Sequence, residues 1–265
     1  MLSMGMHSDG KLNRLQRELP EGLLADAAWM EAHGYSRALR SQYVRSGWLD
    51  SPTRRVYRRS RTALTWQQVV ISLQNVLDLP LNVGGRTALE QLGYAHFLTA
   101  EMRELHLYGP KRPPTWLPNL PLDVAFHWHN SSRLFPNDTA TPQPPSSPMF
   151  SAGGMTLPIG YSSKERAVLE LLDELPDRES FHQVDPLMEG LSDLSPSRMQ
   201  HVLETCRSVK VKRLFFFFAD RHSHAWLSKL DRSRIDLGSG KRALVKGGKY
   251  DPRYQITVPA DFGTA

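Results

Sequence analysis

The sequence contains very little cysteine, because Cys206 is the only one among 265 residues. A single thiol excludes an internal disulfide and any zinc site built from several cysteines, and it is compatible with a reducing compartment. A lone cysteine is more often a small core residue than a nucleophile, so we expect Cys206 to be buried.

Long apolar runs are also missing from the sequence. No window reaches the roughly eighteen consecutive apolar residues that a membrane-spanning helix needs, and the apolar run at 214–219 is far too short. Residues 1–10 lack the apolar core and cleavage site of a secretory signal peptide. We therefore predict a cytoplasmic protein without a membrane partner. Its length suggests two or three compact units.

Positive charge is present in excess, and its distribution is uneven. The formal net charge is +6, whereas residues 35–61 alone carry eight arginines and one aspartate, a net charge of +7. Such a concentration is typical of a surface that binds phosphate groups. Farther along, residues 162–204 carry a net charge of −6 and residues 207–249 a net charge of +9. The C-terminal region is therefore predicted to be electrically two-sided.

The N-terminal region shows the helical spacing of apolar residues three times. Three short helices are predicted at 11–19, 21–33 and 37–45. Gly34 is a suitable stop for the second helix, and Ser36 is placed to cap the third. This spacing of short helices is that of a helix-turn-helix module.

A β-hairpin is predicted directly after the third helix. Two short strands, at 48–49 and 55–59, flank a turn at 51–53 that contains Pro52. Three helices followed by a hairpin form the winged-helix order. We therefore predict a winged helix-turn-helix domain at 1–61.

The remaining residues are predicted to form two further units, so the fold class is α+β. A mixed α/β middle region is predicted at 62–160, with helices at 65–77 and 87–92, strands at 104–107 and 124–128, and proline-rich loops at 110–121 and 137–149. A largely helical C-terminal domain is predicted at 161–265, with helices at 163–175, 182–189 and 195–206 and a strand at 254–258. The apolar pattern of residues 214–218 fits both a buried strand and a core helix, so periodicity does not decide between them.

The predicted DNA contacts lie on the third helix and on the wing. In a helix-turn-helix protein the third helix enters the major groove, while basic residues on the wing bind the backbone. The candidate DNA-binding residues are Ser36, Arg37, Arg40, Ser41, Gln42 and Arg45 on the helix, and Arg54, Arg55, Tyr57, Arg58 and Arg59 on the wing. The alternative is a basic helix and hairpin that are merely solvated.

Two histidine pairs have the spacing of metal ligands on a strand, namely His127 with His129 and His222 with His224. No neighbouring carboxylate or cysteine completes either set, so we interpret these histidines as hydrogen-bonding groups and predict no metal. The glycine-flanked turn at 238–242 lacks the spacing of a phosphate-binding Walker loop, although a basic turn can still contact a phosphate or an acidic partner. We find no catalytic set and predict no cofactor.

Several segments resemble the AbiEi family of antitoxins, which belong to bacterial abortive-infection toxin-antitoxin operons. The resemblance extends over nearly the whole chain. The segments that carry it are VRSGWL at 44–49, VYRR at 56–59, NVGGRTALE at 82–90, GYA at 93–95, the helix at 163–175, VKRL at 211–214 and IDLGSGKR at 235–242.

The resemblance implies a DNA-binding autorepressor that recognises inverted repeats in its own promoter. It also implies that the C-terminal part counteracts a nucleotidyltransferase-like toxin encoded in the same operon, which type IV antitoxins do without a stable complex. It favours a helix within 209–230. Candidate contacts with the toxin or a phosphate are Lys212, Arg213, Lys241 and Arg242.

Two other functions remain open from the sequence. One is a nucleic-acid-processing enzyme that uses the basic region 207–249, in which Asp220 or Asp231 would have to be catalytic. The other is a winged-helix regulator that senses a small ligand in its C-terminal domain. We predict a regulator and not an enzyme, because no set of metal-binding carboxylates is recognisable.

Overall fold

The computed structural model of the chain describes residues 5–59, 61–94, 102–136, 149–152 and 155–262. Its helices are α1 (Gly5–Glu18), α2 (Ala27–Ala32), α3 (Arg37–Arg45), α4 (Trp66–Ile71), α5 (Gly85–Gln91), α6 (Lys164–Asp173), α7 (Phe181–Gly190), α8 (Pro196–Thr205) and α9 (Val209–His222). Its strands are β1 (Leu24–Asp26), β2 (Asp50–Thr53), β3 (Val56–Arg58), β4 (Asn82–Val83), β5 (Glu104–Gly109), β6 (Ala125–Asn130), β7 (Met149–Ala152), β8 (Met155–Pro158), β9 (Lys249–Asp251) and β10 (Ile256–Val258). The fold is mixed α and β with small sheets, as predicted.

The N-terminal region combines three helices with a three-stranded sheet in the order β1-β3-β2. The single helix predicted at 21–33 is wrong in its first half, because Leu24–Asp26 forms strand β1 and helix α2 starts only at Ala27. Gly22 has a φ of +86°, which interrupts a helix. The Asp26 carboxylate then caps α2 by accepting the Trp29 N–H at 2.9 Å.

The wing differs from its predicted outline. The predicted turn at 51–53 is strand β2, and the chain reverses at Arg54 and Arg55, where Thr53 pairs with Val56. Pro52 is tolerated in β2 because this strand lies at the edge of the sheet, where a missing N–H breaks no ladder. The reversal places two arginines at the tip of the wing.

The middle region contains a sheet in the order β4-β5-β6, in which β5 and β6 run parallel. The predicted helix at 65–77 is present as α4 and a wider helical turn, Ser72–Val76, and it begins with a capping box between Thr65 and Gln68. Both predicted strands are confirmed as β5 and β6. The predicted loop at 137–149 lies outside the described residues except for Met149, which begins β7.

The C-terminal region is built on helix α9, around which α6 and α7 pack. Residues 214–218, for which the sequence allowed either a strand or a helix, lie in helix α9. The phenylalanines at 215–218 are all completely buried. Cys206 is buried as expected. No helix in the described part of the chain is long and apolar enough to cross a membrane.

The middle and C-terminal regions meet at a buried carboxylate. Glu170 on α6 accepts the Gly85 N–H at 3.0 Å, the Ser162 hydroxyl at 3.0 Å and the Arg166 Nε–H at 2.7 Å. A Cβ on Gly84 would lie 2.2 Å from Glu170 Oε2, so the paired glycines of the 82–90 segment allow this close approach. The domain boundaries at 61/62 and 160/161 stay predictions.

Candidate nucleic-acid interface

Helix α3 is placed by a tight turn after α2. Gly34 adopts a φ of +84°, and the Tyr35 N–H returns to the Met30 carbonyl at 2.8 Å, so the chain leaves α2 abruptly. Ser36 then caps α3 by accepting the Leu39 N–H at 3.3 Å. Tyr43 is buried and anchors the opposite side of α3 in the core. The turn and the cap together fix the direction in which α3 presents its outer face.

The outer face of α3 is polar and exposed. Four of the candidate DNA-binding residues on the helix lie here. Three have the i, i+4 and i+8 spacing that places side chains on one side of a helix, and Gln42 lies beside them, three residues before Arg45. The four residues are Arg37, Ser41, Gln42 and Arg45. Arginine and glutamine are the side chains that make bidentate contacts with guanine and adenine edges. We call this stripe the α3 face.

Arg40 does not belong to the α3 face, which corrects our prediction that it reads bases. Its side chain is only 4% exposed. Nη1 donates to the carbonyl oxygens of Ala27 and Tyr35 at 3.1 and 3.0 Å, and Nη2 donates to Glu31 at 2.7 Å. The guanidinium also lies 5.6 Å from the ring centre of Tyr57. Arg40 therefore joins α2, α3 and the wing from inside.

The tip of the wing is exposed and basic. Arg54 and Arg55 occupy the two-residue reversal and both are exposed. Arg55 has a φ of +66°, and its carbonyl accepts the Ala27 N–H at 2.8 Å, which ties the wing to the start of α2. Tyr57, another candidate contact, is half-buried beneath Arg40. Contact between the wing tip and DNA stays a prediction.

The other two wing arginines contact their own domain. For the buried Arg58 this corrects the predicted role as a phosphate contact, whereas that role of the half-buried Arg59 stays a prediction. Arg58 is buried, pairs with Asp50 at 3.0 Å and also donates to the Thr62 carbonyl. Arg59 donates from Nη1 to the Gln16 and Leu19 carbonyls at 2.8 and 2.9 Å. These carbonyls lie at the end of α1, where a helix leaves acceptors without partners.

An exposed aromatic residue that was not among the predicted contacts lies between α3 and the wing. The Trp48 side chain is 52% exposed, although its backbone N–H is fixed to the Tyr43 carbonyl at 2.9 Å. The exposed Arg61 lies beside the same bend, since its Nη2 is 2.4 Å from the position that a Cβ on Gly47 would take. A large aromatic residue directly after a glycine stop was the available signal.

Of the four candidate contacts in the C-terminal region, two are buried and two are exposed. Arg213 is buried, and it donates to the Leu237 carbonyl at 2.7 Å and the Gly240 carbonyl at 2.6 Å. Lys212 is 5% exposed. Arg213 therefore shapes the 236–242 loop from inside, and both residues are corrected as contacts. Lys241 and Arg242 are exposed on that loop.

The two aspartates of the enzyme hypothesis have structural partners. Asp220 contacts Arg253 at 2.9 Å and also pairs with Arg232 and Tyr254. Burial raises the pKa of Asp220, but the hydrogen bonds from these partners hold it below its usual range. Asp231 caps a short helical turn by accepting the Ser233 N–H at 3.0 Å.

The histidines at 222 and 224 form hydrogen bonds, as the sequence analysis expected. His222 Nε2 lies 2.8 Å from Asp185 Oδ1, and His224 Nε2 lies 2.8 Å from the Met188 carbonyl oxygen. Both contacts join the end of α9 to α7.

Comparison with known proteins identifies the family. A family model described as "Transcriptional regulator, AbiEi antitoxin, Type IV TA system" matches residues 102–259. A second, described as "Transcriptional regulator, AbiEi antitoxin N-terminal domain", matches residues 8–100. The chain belongs to the AbiEi family. The resemblance seen in the sequence is thereby confirmed over nearly the whole chain, and AbiEi proteins are transcriptional regulators and antitoxins of type IV systems.

This AbiEi chain also has a similar fold to a solved structure. The crystal structure of the RV2827C protein from Mycobacterium tuberculosis matches with a TM-score of 0.53 and 14% sequence identity. The match covers 96% of this chain and 91% of that chain, so it shows a shared fold along both. No curated protein matches the sequence.

Proposed function

We propose that this AbiEi protein binds operator DNA in its own promoter through the α3 face and the wing tip, and represses transcription of its operon. The observation that carries the proposal is the division of the arginines between the interior and the surface. The exposed set, on α3 and on the wing tip, is the set that a winged helix offers to DNA.

The proposed binding mode assigns different tasks to the two exposed sets. Helix α3 enters the major groove, where Arg37 and Gln42 contact base edges and the α3 N-terminus approaches the backbone. Arg54 and Arg55 contact phosphates on the flanking strand, which adds affinity without sequence information. Inverted repeats in the promoter would require two copies of the chain, one for each half-site.

We further propose that residues 62–265 supply the antitoxin activity, directed against a nucleotidyltransferase-like toxin encoded in the same operon. This part of the chain carries the exposed basic loop with Lys241 and Arg242, and these two remain candidate contacts with the toxin or with a phosphate group. Arg213 supports that loop from within through the Leu237 and Gly240 carbonyls.

The experiment that tests DNA binding is a salt-titrated mobility shift. The full chain is mixed with about two hundred base pairs from upstream of its gene, and in parallel with unrelated DNA of equal length. We expect selective binding to the upstream fragment, with a steep decrease of affinity as salt increases. Equal and weak binding to both fragments would contradict an operator-binding role.

Two pairs of variants separate the proposed tasks. Arg37→Ala with Gln42→Ala should remove the preference for the upstream fragment, whereas Arg54→Ala with Arg55→Ala should weaken binding to both fragments and reduce the salt slope by roughly one unit per lost contact. Lys229→Ala, at an exposed position far along the chain, is the control for loss of surface charge. If both pairs bind like the control, the α3 face and the wing tip do not contact DNA.

A further inference from the structure

A cavity of about 1080 Å³ opens beside strands β5 and β6. Glu104, His106 and His127 line it together. His106 and His127 are register partners on the two parallel strands, and their ring centres lie 5.4 Å apart. The Nε2 atoms of His106 and His127 lie 4.0 and 3.9 Å from the two carboxylate oxygens of Glu104. Three groups that can bind a metal ion therefore share one wall.

A hydrogen-bonded chain behind this wall orients His106. His129 Nδ1 lies 2.8 Å from Glu174 Oε1, and His129 Nε2 lies 2.9 Å from His106 Nδ1. Burial raises the pKa of Glu174, but the hydrogen bond from His129 holds it below its usual range, so the carboxylate is charged and accepts. Arg178 Nη1 lies farther from His129 Nδ1, at 3.4 Å, so the shorter contact with Glu174 favours the tautomer in which His129 donates from Nδ1 and accepts from His106 Nδ1 at Nε2.

This arrangement leaves His106 Nε2 with a lone pair directed at the cavity. The His106 side chain is 9% exposed and lines this cavity. Histidines that bind metals commonly donate their other ring N–H to a group of this kind, which fixes the tautomer. The chain through His129 to Glu174 is such an outer shell.

The second ring nitrogen on the wall lacks a partner. His127 Nε2 is buried and forms no hydrogen bond with the residues that the structure describes. A buried polar atom without a hydrogen-bond partner is unfavourable, because it has lost its contacts with water and gained none in return. A bound cation would satisfy this lone pair, that of His106 and the Glu104 carboxylate at once.

We propose that Glu104, His106 and His127 bind a divalent transition metal ion such as Zn²⁺, with one coordination position open to the cavity. Two imidazoles and one carboxylate are a ligand set that Zn²⁺ accepts. Arg86, which lines the same cavity, is paired with Glu179 and lies 3.8 Å from Glu90, so its charge is compensated by carboxylates.

Binding requires a small local adjustment. No three ligand groups in the described part of the chain already converge closely enough to enclose an ion. Ligand atoms at about 2.0 Å from a tetrahedral Zn²⁺ lie about 3.3 Å from one another, which is shorter than the separations to Glu104. The Glu104 side chain is 64% exposed, so a rotamer change can bring the carboxylate inward, and the two rings tilt toward the ion.

The test is a metal titration of the full chain, freed of tags and stripped with a chelator. Zn²⁺ at about one hundred times its dissociation constant should raise the melting temperature by roughly 5 °C, and Co²⁺ should produce the visible absorption of a low-symmetry site. His127→Gln should lose both effects. His201→Gln, which removes an exposed histidine on α8, should keep both and is the matched control.

The outer shell offers an independent readout. His129→Gln should weaken Zn²⁺ binding about 10- to 100-fold while the three ligands stay in place. The melting temperature of each metal-free variant shows whether it is folded. Equal Zn²⁺ affinity in the wild type, His106→Gln and His127→Gln, or no Zn²⁺ effect on the wild type, would overturn the proposal. A normal mobility shift alongside either result would leave the DNA-binding role unaffected.

Discussion

The arginines of the N-terminal region form two groups that share a residue type and a short stretch of sequence but differ in environment. Arg40 and Arg58 are buried and donate to carbonyls and carboxylates of their own domain. Arg37 and Arg54 are exposed on the α3 face and the wing tip. A high local charge therefore serves two purposes here, since part of it holds the N-terminal region together and only the rest is available for the proposed contact with DNA.

The largest expected effect on stability is that of Arg40→Ala. Its guanidinium donates to two backbone carbonyls and to Glu31, and removal leaves the carbonyls of Ala27 and Tyr35 without these donors. We expect the free energy of unfolding to fall by about 3 kcal/mol. Urea denaturation of the full chain measures this.

Arg40→Met is the matched control for packing, because it keeps an apolar stem without the guanidinium. If the hydrogen bonds matter as argued, this variant should be nearly as unstable as Arg40→Ala. A free energy of unfolding equal to that of the wild type in both variants would contradict the structural role of Arg40.

Arg58→Ala should have the next largest effect, about 2 kcal/mol. Arg58 contacts Asp50 on β2 and the Thr62 carbonyl, so it joins the wing to the chain that follows. Asp50→Asn removes the charge of the partner and should have a smaller effect of the same sign, since Asp50 is 35% exposed. The melting temperatures of the wild type, Asp50→Asn and Arg58→Ala should therefore decrease in this order. An unchanged melting temperature in Arg58→Ala would contradict the prediction.

Arg37→Ala and Arg54→Ala should change the free energy of unfolding by less than about 0.5 kcal/mol, as surface substitutions usually do. Their effect should appear in DNA binding instead, where loss of one base contact lowers selectivity about 10- to 100-fold. Substitution of Arg40 or Arg58 should thus have the larger effect on stability, and substitution of Arg37 or Arg54 the larger direct effect on DNA selectivity. A large loss of stability in Arg37→Ala would show that the α3 face is not simply exposed.

Much of the fold could be predicted because it depends on local signals. Helices α6, α7 and α8 follow from apolar spacing and from caps such as Ser163, and strands β5 and β6 follow from short apolar runs. Strand β1 could not be predicted, since Leu24–Asp26 continues the apolar spacing of α2 and becomes a strand only by pairing with β3, which is distant in sequence.

The candidate site was predicted to the level of elements but not of side chains. Ser36 and the direction of α3 follow from sequence, whereas the burial of Arg40 depends on where Ala27 and Tyr35 place their carbonyls. Nothing local distinguishes Arg40 from Arg37. The wall formed by Glu104, His106 and His127 could not be predicted for the same reason. The pairing of β5 with β6 supplies the carboxylate that the sequence around the histidines lacks.

The smallest effect, a dependence on pH, tests the link between Arg40 and Glu31. The hydrogen bond from Arg40 lowers the pKa of Glu31, whose side chain is 57% exposed. A carboxyl whose pKa is lower in the folded state stabilises the protein fully above its unfolded pKa of about 4.3, and the contribution is lost as the pH falls through the folded value.

The wild type should therefore be slightly more stable than Glu31→Gln at pH 7, and the difference should disappear in acid below the lowered pKa. Melting temperatures of both proteins between pH 7 and the lowest pH at which they stay folded measure this. Glu21→Gln, at an exposed position, is the control and should show no such convergence. A difference that persisted unchanged in acid would mean that Arg40 is held by the carbonyls alone, and that its charge is not what places it in the interior.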